Sequence, residues 1–325
     1  MKKIPCFLLL LALAAAGCAL FEKGEPEPPA PPSPPPVPSP SPTPHPGLVA
    51  LPSPAADFKL LVQSDIDGDD EIFLLDFSRG IGTNLTENEA ADTQPAWAPG
   101  RNRIAFISDR DGNPELYLIH LEEGELRRLT ETEGPESHPA WSPGGNLLGF
   151  FTERNGADAI CIFDLDSGQR RYFDLFEEGA GGTMVFSPDG EKIIFGFDKL
   201  GQYKNYTLQL DDGEWQEVIN HPCPNSAMTW TRDGQALVYV SGKGKQNDIW
   251  MVYLEEGRFI QLTRDEAEDL SPSLSPDGEK MVFASRRHGG ENHQLYLVDL
   301  AGDPLKNQVF RLTEDAADYR YPQWR

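Results

Sequence analysis

A short motif centred on an aromatic or apolar residue returns every forty-four or forty-five residues through most of the chain, and returns once more after a longer step. Its copies are PAWAPG at Trp97, PAWSPGG at Trp141, VFSPDG at Phe186, TWTRDG at Trp230, SLSPDG at Leu274 and YPQW at Trp324. A repeat of this length is typical of β-propellers and solenoids.

Each full repeat contains four short runs rich in β-branched and aromatic residues, separated by Gly, Asp, Asn and Pro. Such runs predict strands, and four strands per repeat are the content of a propeller blade. A second column of mostly aromatic residues lies in the third run and has nearly the same spacing: Phe73, Tyr117, Cys161, Tyr206, Trp250 and Tyr296. The two columns together predict six repeats.

The first repeat, Phe58 to Thr86, has only three of the four runs. The missing run is the one that carries the Trp motif, and the C-terminal sequence RYPQWR supplies it. Pairing the C-terminus with the first repeat would remove the sheet edges that an open array leaves unpaired. The sequence therefore predicts an all-β fold, a six-bladed β-propeller over residues 57–325 whose composite first blade is closed by the C-terminal strand.

The segment SDRDGNPELYLIHLEEGELRRLT, Ser108 to Thr130, resembles the Pro-Asp β-propeller repeat of the TolB family. The resemblance covers roughly Asp57 to Arg325. It implies the propeller fold and an envelope protein, because TolB pairs with a peptidoglycan-associated lipoprotein and a translocation complex. TolB also has an N-terminal α/β domain where this chain has a proline-rich segment, so its specific role is not carried over, and a propeller hosts unrelated activities.

The N-terminus has the features of an export signal. Lys2 and Lys3 precede a short apolar run, which predicts a signal peptide over residues 1–17. The sequence AAGC resembles a bacterial lipobox, so Cys18 is predicted to be the lipidated residue of an N-terminus spanning 18–24. The alternative is an ordinary cleaved signal with an incidental cysteine. The chain is expected to be anchored by lipid to the bacterial cell membrane or outer membrane, with its propeller in the periplasm or at the cell surface.

Residues 25–56 are dominated by proline, which predicts a disordered linker rather than a packed domain. As polyproline II at roughly 3.1 Å per residue, its thirty or so residues would extend about 90 Å. A proline-rich ligand for an aromatic groove is a less favoured reading.

The net charge is −24, and loss of residues 1–17 would make it two charges more negative. An acidic field of this strength repels nucleic acid and anionic headgroups. No Cys-x-x-Cys spacing is present, so neither a zinc site nor thioredoxin-type chemistry is indicated. The sequence leaves open whether Cys161 and Cys223 form a disulfide.

The sequence contains no Gly-x-Ser-x-Gly elbow of the kind that hydrolases joined to such propellers carry, so no enzyme activity and no cofactor are expected. His138 and His221 could belong to a lyase-like metal site only with a third ligand. The acidic run with Asp65, Asp67, Asp69 and Glu71 is a weak Ca²⁺ candidate, but it does not match the EF-hand spacing and also aligns with an ordinary hairpin turn.

The remaining prediction is a binding face. The segments DTQP, ESHP, DLSP and YRYP are expected to form loops that gather at one mouth of the central channel. The candidate residues of this face are Asp92, Gln94, His138, Asp269, Tyr319 and Arg320. An alternative is that Asp92 and Asp269 only cap turns.

We expect a monomeric, non-enzymatic scaffold that binds envelope proteins or peptides. A carbohydrate-binding or carbohydrate-cleaving surface protein is the alternative.

Overall fold

A computed structural model describes residues 41–50, 57–100, 102–175, 180–199, 202–219, 227–243, 246–300 and 308–324. These residues form six separate antiparallel sheets, which are the blades of a β-propeller. The described ranges contain strands, turns and bends but no α-helix, so nothing in them could cross a membrane as a helix. The predicted all-β, six-bladed fold is confirmed.

Strands are numbered β1 to β25 along the chain, and the first strand of each blade is its inner strand. Blade 1 runs, from the inside outward, through β25 (Tyr319–Trp324), β2 (Lys59–Ser64), β3 (Glu71–Asp76), β4 (Ile81–Asn84) and β1 (Thr43–Pro44). Blade 2 contains β5 (Asp92–Trp97), β6 (Arg103–Ser108), β7 (Glu115–His120) and β8 (Glu125–Arg128). Blade 3 contains β9 (Ser137–Trp141), β10 (Leu147–Arg154), β11 (Ala157–Asp164) and β12 (Arg170–Asp174).

The second half of the ring repeats the same order. Blade 4 contains β13 (Ala180–Phe186), β14 (Lys192–Lys199), β15 (Gln202–Gln209) and β16 (Trp215–Ile219). Blade 5 contains β17 (Thr229–Trp230), β18 (Ala236–Lys243), β19 (Gln246–Tyr253) and β20 (Arg258–Gln261). Blade 6 contains β21 (Asp269–Leu274), β22 (Lys280–Ser285), β23 (Gln294–Asp299) and β24 (Val309–Arg311).

The first blade is composite, as predicted. The C-terminal strand β25 pairs antiparallel with β2, and Leu60 lies opposite Trp324 while Ser64 lies opposite Tyr319. The inner strand of blade 1 therefore comes from the far end of the chain, and this pairing closes the ring.

The hydrophobic core lies between neighbouring blades rather than within any one of them. One cluster joins residues of blade 2, such as Leu118, to Trp141 and Phe150 of blade 3. An equivalent cluster joins Leu60 of blade 1 to Leu297 of blade 6. The second strands of the blades, such as β6, are buried on both faces and read as nearly continuous apolar runs, whereas outer strands such as β8 are partly exposed.

The Ser-Pro-Asp-Gly stretches form the turns between first and second strands. In blade 4 the Ser187 Oγ hydrogen-bonds Asp189, and Gly190 adopts a left-handed backbone with φ of 75°. Glycine suits this position because other residues pay a steric cost there. The turn thereby delivers the chain directly from β13 into β14.

Residues 43–49, which we call the clasp, lie across the seam between blades 1 and 6. Thr43 pairs with Gly82 at the outer edge of blade 1, and the Val49 amide donates to the Leu312 carbonyl oxygen of blade 6 at 2.9 Å. Leu48 forms an isolated bridge with Thr313.

The clasp falls inside the predicted linker, 25–56, so residues 41–50 depart from that expectation. The physical reason is that His45 packs edge-on against Phe73 and tilted against Tyr319, which anchors the backbone in spite of the prolines. Residues 1–40 and 51–56, with the predicted signal peptide, Cys18 and the remainder of the linker, lie outside the described residues.

Candidate functional site

The inner strands contact one another around the ring axis and so surround the central channel. We call the side on which they begin the front face. Four of these strands contain a non-glycine residue with a left-handed backbone at the same repeat position, three before the motif residue, and each is followed by proline. These residues are Gln94 (φ 53°), His138 (52°), Ser271 (50°) and Tyr321 (48°).

Each left-handed residue marks a β-bulge. The pairing of β5 with β6 shifts between Thr93 and Ala96, and the inner strands of blades 1, 3, 4 and 6 shift at the equivalent place. Non-glycine residues in this region cost on the order of 1–3 kcal/mol and cluster at functional sites. The segments DTQP, ESHP, DLSP and YRYP were predicted to be loops. They instead contain the first residues of the inner strands, which bulge at the channel wall.

Glutamine side chains brace these bulges between neighbouring blades. Gln63 of blade 1 accepts a hydrogen bond from the Gln94 amide at 3.1 Å. The Gln94 side chain in turn accepts from the His138 amide of blade 3 at 2.6 Å. Gln323 accepts from the Trp97 amide at 2.9 Å and donates to the Pro95 carbonyl oxygen at 2.7 Å. The channel wall is consequently rigid across blades 1, 2 and 3.

His138 has a largely apolar environment. Its ring lies edge-on to Phe151, with the ring centroids 6.1 Å apart. The buried Nδ1 has no hydrogen-bond partner among the described residues. Burial lowers the pKa of His138 to about 4, so its imidazole is neutral at physiological pH. His221, the other histidine of the proposed metal pair, lies outside the described residues.

Asp92 and Asp269 are fully buried and do not contribute an exposed binding face. The Arg110 guanidinium binds both carboxylate oxygens of Asp92 at 3.0 and 2.8 Å, and Arg287 binds Asp269 in the same way at 2.9 and 2.8 Å. Each arginine also lies over the ring of a third-strand tyrosine, 4.9 Å and 5.1 Å from its centroid. These Asp-Arg clamps lock the front end of the inner strand to the turn between the second and third strands.

Tyr319 is likewise buried, whereas Arg320 is exposed. The Tyr319 hydroxyl donates to the Asp315 Oδ2 at 2.7 Å. The Arg320 side chain is 46% exposed and pairs with Asp318. Of the six predicted face residues, Arg320 is therefore the exposed one, while Gln94 and His138 are half-buried in the channel wall.

A buried polar network at the seam between blades 6 and 1 was missed by sequence reasoning. His293, which is 2% exposed, contacts Asp318 Oδ1 through Nδ1 at 2.9 Å and Glu268 Oε2 through Nε2 at 3.4 Å. Burial alone would raise the pKa of Asp318, but the His293 hydrogen bonds and the nearby Arg320 hold it down at about 2. The available signal in the sequence was a histidine three residues before the third-strand aromatic, where blade 2 has Pro114 and blade 5 has Asn247.

The carboxylates of the acidic run are not grouped as metal ligands. Asp65 accepts from the Asp318 amide at 2.7 Å, Asp67 accepts from the Asn84 side chain at 3.2 Å, and Glu71 accepts from the Asn88 amide at 2.7 Å. The Asp69 Oδ2 is buried without a partner. Within the described ranges no three His, Cys, Asp or Glu side chains come together as metal ligands. The run is a hairpin turn in which Asp65, Asp67 and Glu71 each accept a separate structural hydrogen bond.

Cys161 is buried in β11. Burial raises its pKa, so the thiol is not activated as a nucleophile. Cys223 lies outside the described residues, and the structure therefore gives no information on the pairing that the sequence left open.

The six blades form a ring that the C-terminal strand closes, and the inner strands bulge at the channel wall. This architecture defines the class of six-bladed β-propellers that are built from sequence repeats. The chain belongs to the family described as the TolB beta propeller domain, whose model matches residues 46–174 and 133–303. This confirms the family that the sequence repeat indicated.

A TolB homologue from Chlorobium luteolum is 30% identical over 118 residues, which cover 36% of this chain and 26% of that protein. The chain thus aligns with about a quarter of that relative's length. The crystal structure of TolB from Acinetobacter baumannii superimposes with a TM-score of 0.70 at 22% identity, covering 83% of this chain and 67% of the other.

An oligogalacturonate lyase in complex with manganese superimposes with a TM-score of 0.55 at 20% identity, covering 78% of this chain and 73% of the lyase. At this identity the likeness concerns the fold alone. The described residues of this chain group no metal ligands, so the alternative of carbohydrate cleavage gains no support beyond the shared fold.

Proposed function

We propose that this protein is a non-enzymatic scaffold of the bacterial cell envelope that binds a protein or peptide at the front mouth of its central channel. Membership of the TolB propeller family supports this function at a coarse level. The observation that carries the choice of surface is the row of left-handed Xaa-Pro bulges in the inner strands of four blades. Repeated strain at one mouth of a propeller is expected where backbone groups must be aimed at a ligand.

The proposed binding mouth combines half-buried polar groups with one exposed cation. Gln94 and His138 contribute polar atoms at the channel wall, and Arg320 contributes the charge at its edge. Loops and strand ends held by a rigid scaffold are common binding surfaces, and the glutamine braces provide that rigidity. The anchoring part of the proposal is that Cys18 carries lipid and the segment that follows it holds the propeller away from the membrane.

Site-specific photocrosslinking in cells tests the surface. A photoreactive residue at Arg320, on the front mouth, should crosslink a discrete envelope protein. The same photoreactive residue in place of Glu122, which is exposed in the turn between β7 and β8 on the back face, should not crosslink that protein. Equal crosslinking from both positions, or crosslinks to neither, would argue against the proposed surface.

Fractionation tests the anchor separately. The Cys18→Ala variant should appear in the soluble fraction, whereas the wild-type chain stays with the membranes. Retention of Cys18→Ala in the membrane fraction would reject lipid anchoring without affecting the binding surface.

A further inference from the structure

A cavity of about 490 Å³ lies between the clasp and the front end of blade 1. One wall is the chain from Ser41 to Pro46, and the other is formed by the turn after β2 and the chain around the end of β4. Cavities of this size are typical of ligand sites. The cavity lies at the outer part of blade 1, away from the channel mouth, so the inference below does not depend on the proposed function.

The lining combines an apolar floor with an acidic rim. Phe73, which is 5% exposed, and the half-buried Ile66 supply apolar surface. Asp67 and Glu87 supply exposed carboxylates. Among the described residues that line the cavity there is no Lys or Arg to neutralise them.

His45 provides a second, independent indication of a ligand. It lines the cavity, is only 9% exposed, and its Nδ1 has no hydrogen-bond partner among the described residues. The Tyr319 hydroxyl donates to Asp315, so its oxygen is left to accept from His45 Nε2, 3.4 Å away. That arrangement places the proton on Nε2 and makes Nδ1 an acceptor that lacks a donor. Burial also lowers the pKa of His45, which keeps the ring neutral.

We propose that this cavity binds a Lys or Arg side chain presented by a basic segment of a partner protein. Such a side chain has an apolar stem that would pack on Phe73 and Ile66, and a charged head that would reach the carboxylates of the rim. A small turn of the His45 ring would expose Nδ1, which is enclosed in the unliganded chain, to the N–H groups of that head. The net charge of −24 favours the approach of a basic segment over an acidic one.

The experiment is a calorimetric titration of the full chain with the peptide acetyl-Arg-Gly-Arg-amide at physiological ionic strength. The matched probe is the same peptide with citrulline in place of arginine, which keeps the shape and removes the charge. We expect the arginine peptide to bind and the citrulline peptide to bind about two- to thirtyfold more weakly, since each of the two exposed ion pairs contributes roughly 0.2–1 kcal/mol. Equal affinity for the two peptides would overturn the proposal.

Two variants locate the binding. Asp67→Asn combined with Glu87→Gln should weaken binding of the arginine peptide by about three- to tenfold. The control, Glu122→Gln with Glu255→Gln, makes the same change in net charge at exposed positions on other blades and should change the affinity less than twofold.

A second variant, Ser41→Lys, places a competing cation at the exposed edge of the cavity and should abolish binding without disturbing the fold. Loss of affinity in the control to the same degree as in the Asp67/Glu87 variant would show that the acidic surface acts as a whole and would reject the cavity as the site. Undiminished binding to the Ser41→Lys variant would reject it as well.

Discussion

The indole Nε1 of Trp324 donates a 3.0 Å hydrogen bond to the carbonyl oxygen of Ser273. Trp141 makes the equivalent bond, also 3.0 Å, to Ala96. In both cases the inner-strand tryptophan of one blade bonds the inner strand of the preceding blade. The junction that closes the ring therefore uses the same contact as a junction inside the repeat array.

We expect Trp324→Phe and Trp141→Phe to lower the free energy of unfolding by similar amounts, about 1–3 kcal/mol each. Phenylalanine keeps most of the apolar contact but leaves an acceptor without its donor. Urea unfolding followed by fluorescence or circular dichroism measures the effect. The control is Trp215→Phe on the outer strand of blade 4, where the ring is 36% exposed and the change should stay within about 0.5 kcal/mol. If Trp324→Phe leaves the free energy of unfolding unchanged while Trp141→Phe lowers it, the closing junction differs from the internal one.

The Asp-Arg clamps should be far more sensitive than surface ion pairs. Arg287→Met leaves the fully buried Asp269 carboxylate without its cation. Loss of one partner of a buried ion pair lowers the free energy of unfolding by roughly 3–5 kcal/mol. Arg258→Met is the matched control, because Arg258 also pairs with an acid, Glu256, and lies over a tyrosine ring, but on an exposed strand. Its cost should be much smaller, because an exposed ion pair contributes little to stability. Chemical denaturation of the two variants side by side measures both, and equal costs would contradict the structural role of the clamp.

Glu136 should make stability depend on pH between about 4.5 and 7. Burial raises the pKa of this carboxyl to about 7, although hydrogen bonds from Thr132 and Thr152 oppose the shift. The folded state therefore binds the proton more tightly than the unfolded state, so the stabilisation is complete below pH 4.5 and is lost as pH rises towards 7. The difference in unfolding free energy between wild type and Glu136→Gln should change by about 1–3 kcal/mol across this window. A difference that is constant from pH 4.5 to 8 would exclude a raised pKa.

His138, two residues further along the chain, should show the opposite sign. Burial lowers its pKa to about 4, so its contribution is present above the unfolded value of about 6.5 and is lost as pH falls towards 4. The wild-type advantage over His138→Gln should therefore shrink between pH 6.5 and 4. Titration of the imidazole C–H signals by NMR reports the same pKa directly, and an imidazole that titrates near pH 6.5 would contradict the buried environment.

The clasp should be sensitive to the size of residue 82. A Cβ atom at Gly82 would come within 2.4 Å of His45 Cδ2, so Gly82→Ala should displace His45 and speed amide hydrogen exchange across residues 43–49. Gly290→Ala is the control, because a Cβ there finds its nearest atom at 3.5 Å, an ordinary contact. Unchanged exchange in Gly82→Ala would show that His45 can shift without loosening the clasp.

The blade architecture follows from the sequence because it depends on local, repeated signals. The motif at Trp97 and its copies mark the inner strands, the column at Tyr117 marks the third strands, and turn residues such as Gly190 mark the hairpins. The composite blade was also predictable, since a missing strand at one end of the chain matched an extra strand at the other.

The fine structure of the site was not predictable in the same way. Polar segments before each motif read as loops, and only the backbone shows that Gln94 and its equivalents are bulges within strands. The burial of Asp92 depends on Arg110, eighteen residues away, which the sequence alone presents as an ordinary turn residue. The clasp was missed because proline-rich composition predicts disorder, whereas single contacts of His45 and Leu48 decide the outcome.

The order of strands in blade 1 sets how the disc would respond to mechanical pulling. A load applied through residue 41 acts first on β1, whose two residues pair with β4 at the outer edge of the blade. The hydrogen bonds of this short pairing would break one after another. The strand that seals the disc, β25, pairs with β2, and the load reaches β2 only after β1 and the contacts of the clasp with blade 6 have opened. The rim can thus yield under tension from a tether while the disc itself stays shut.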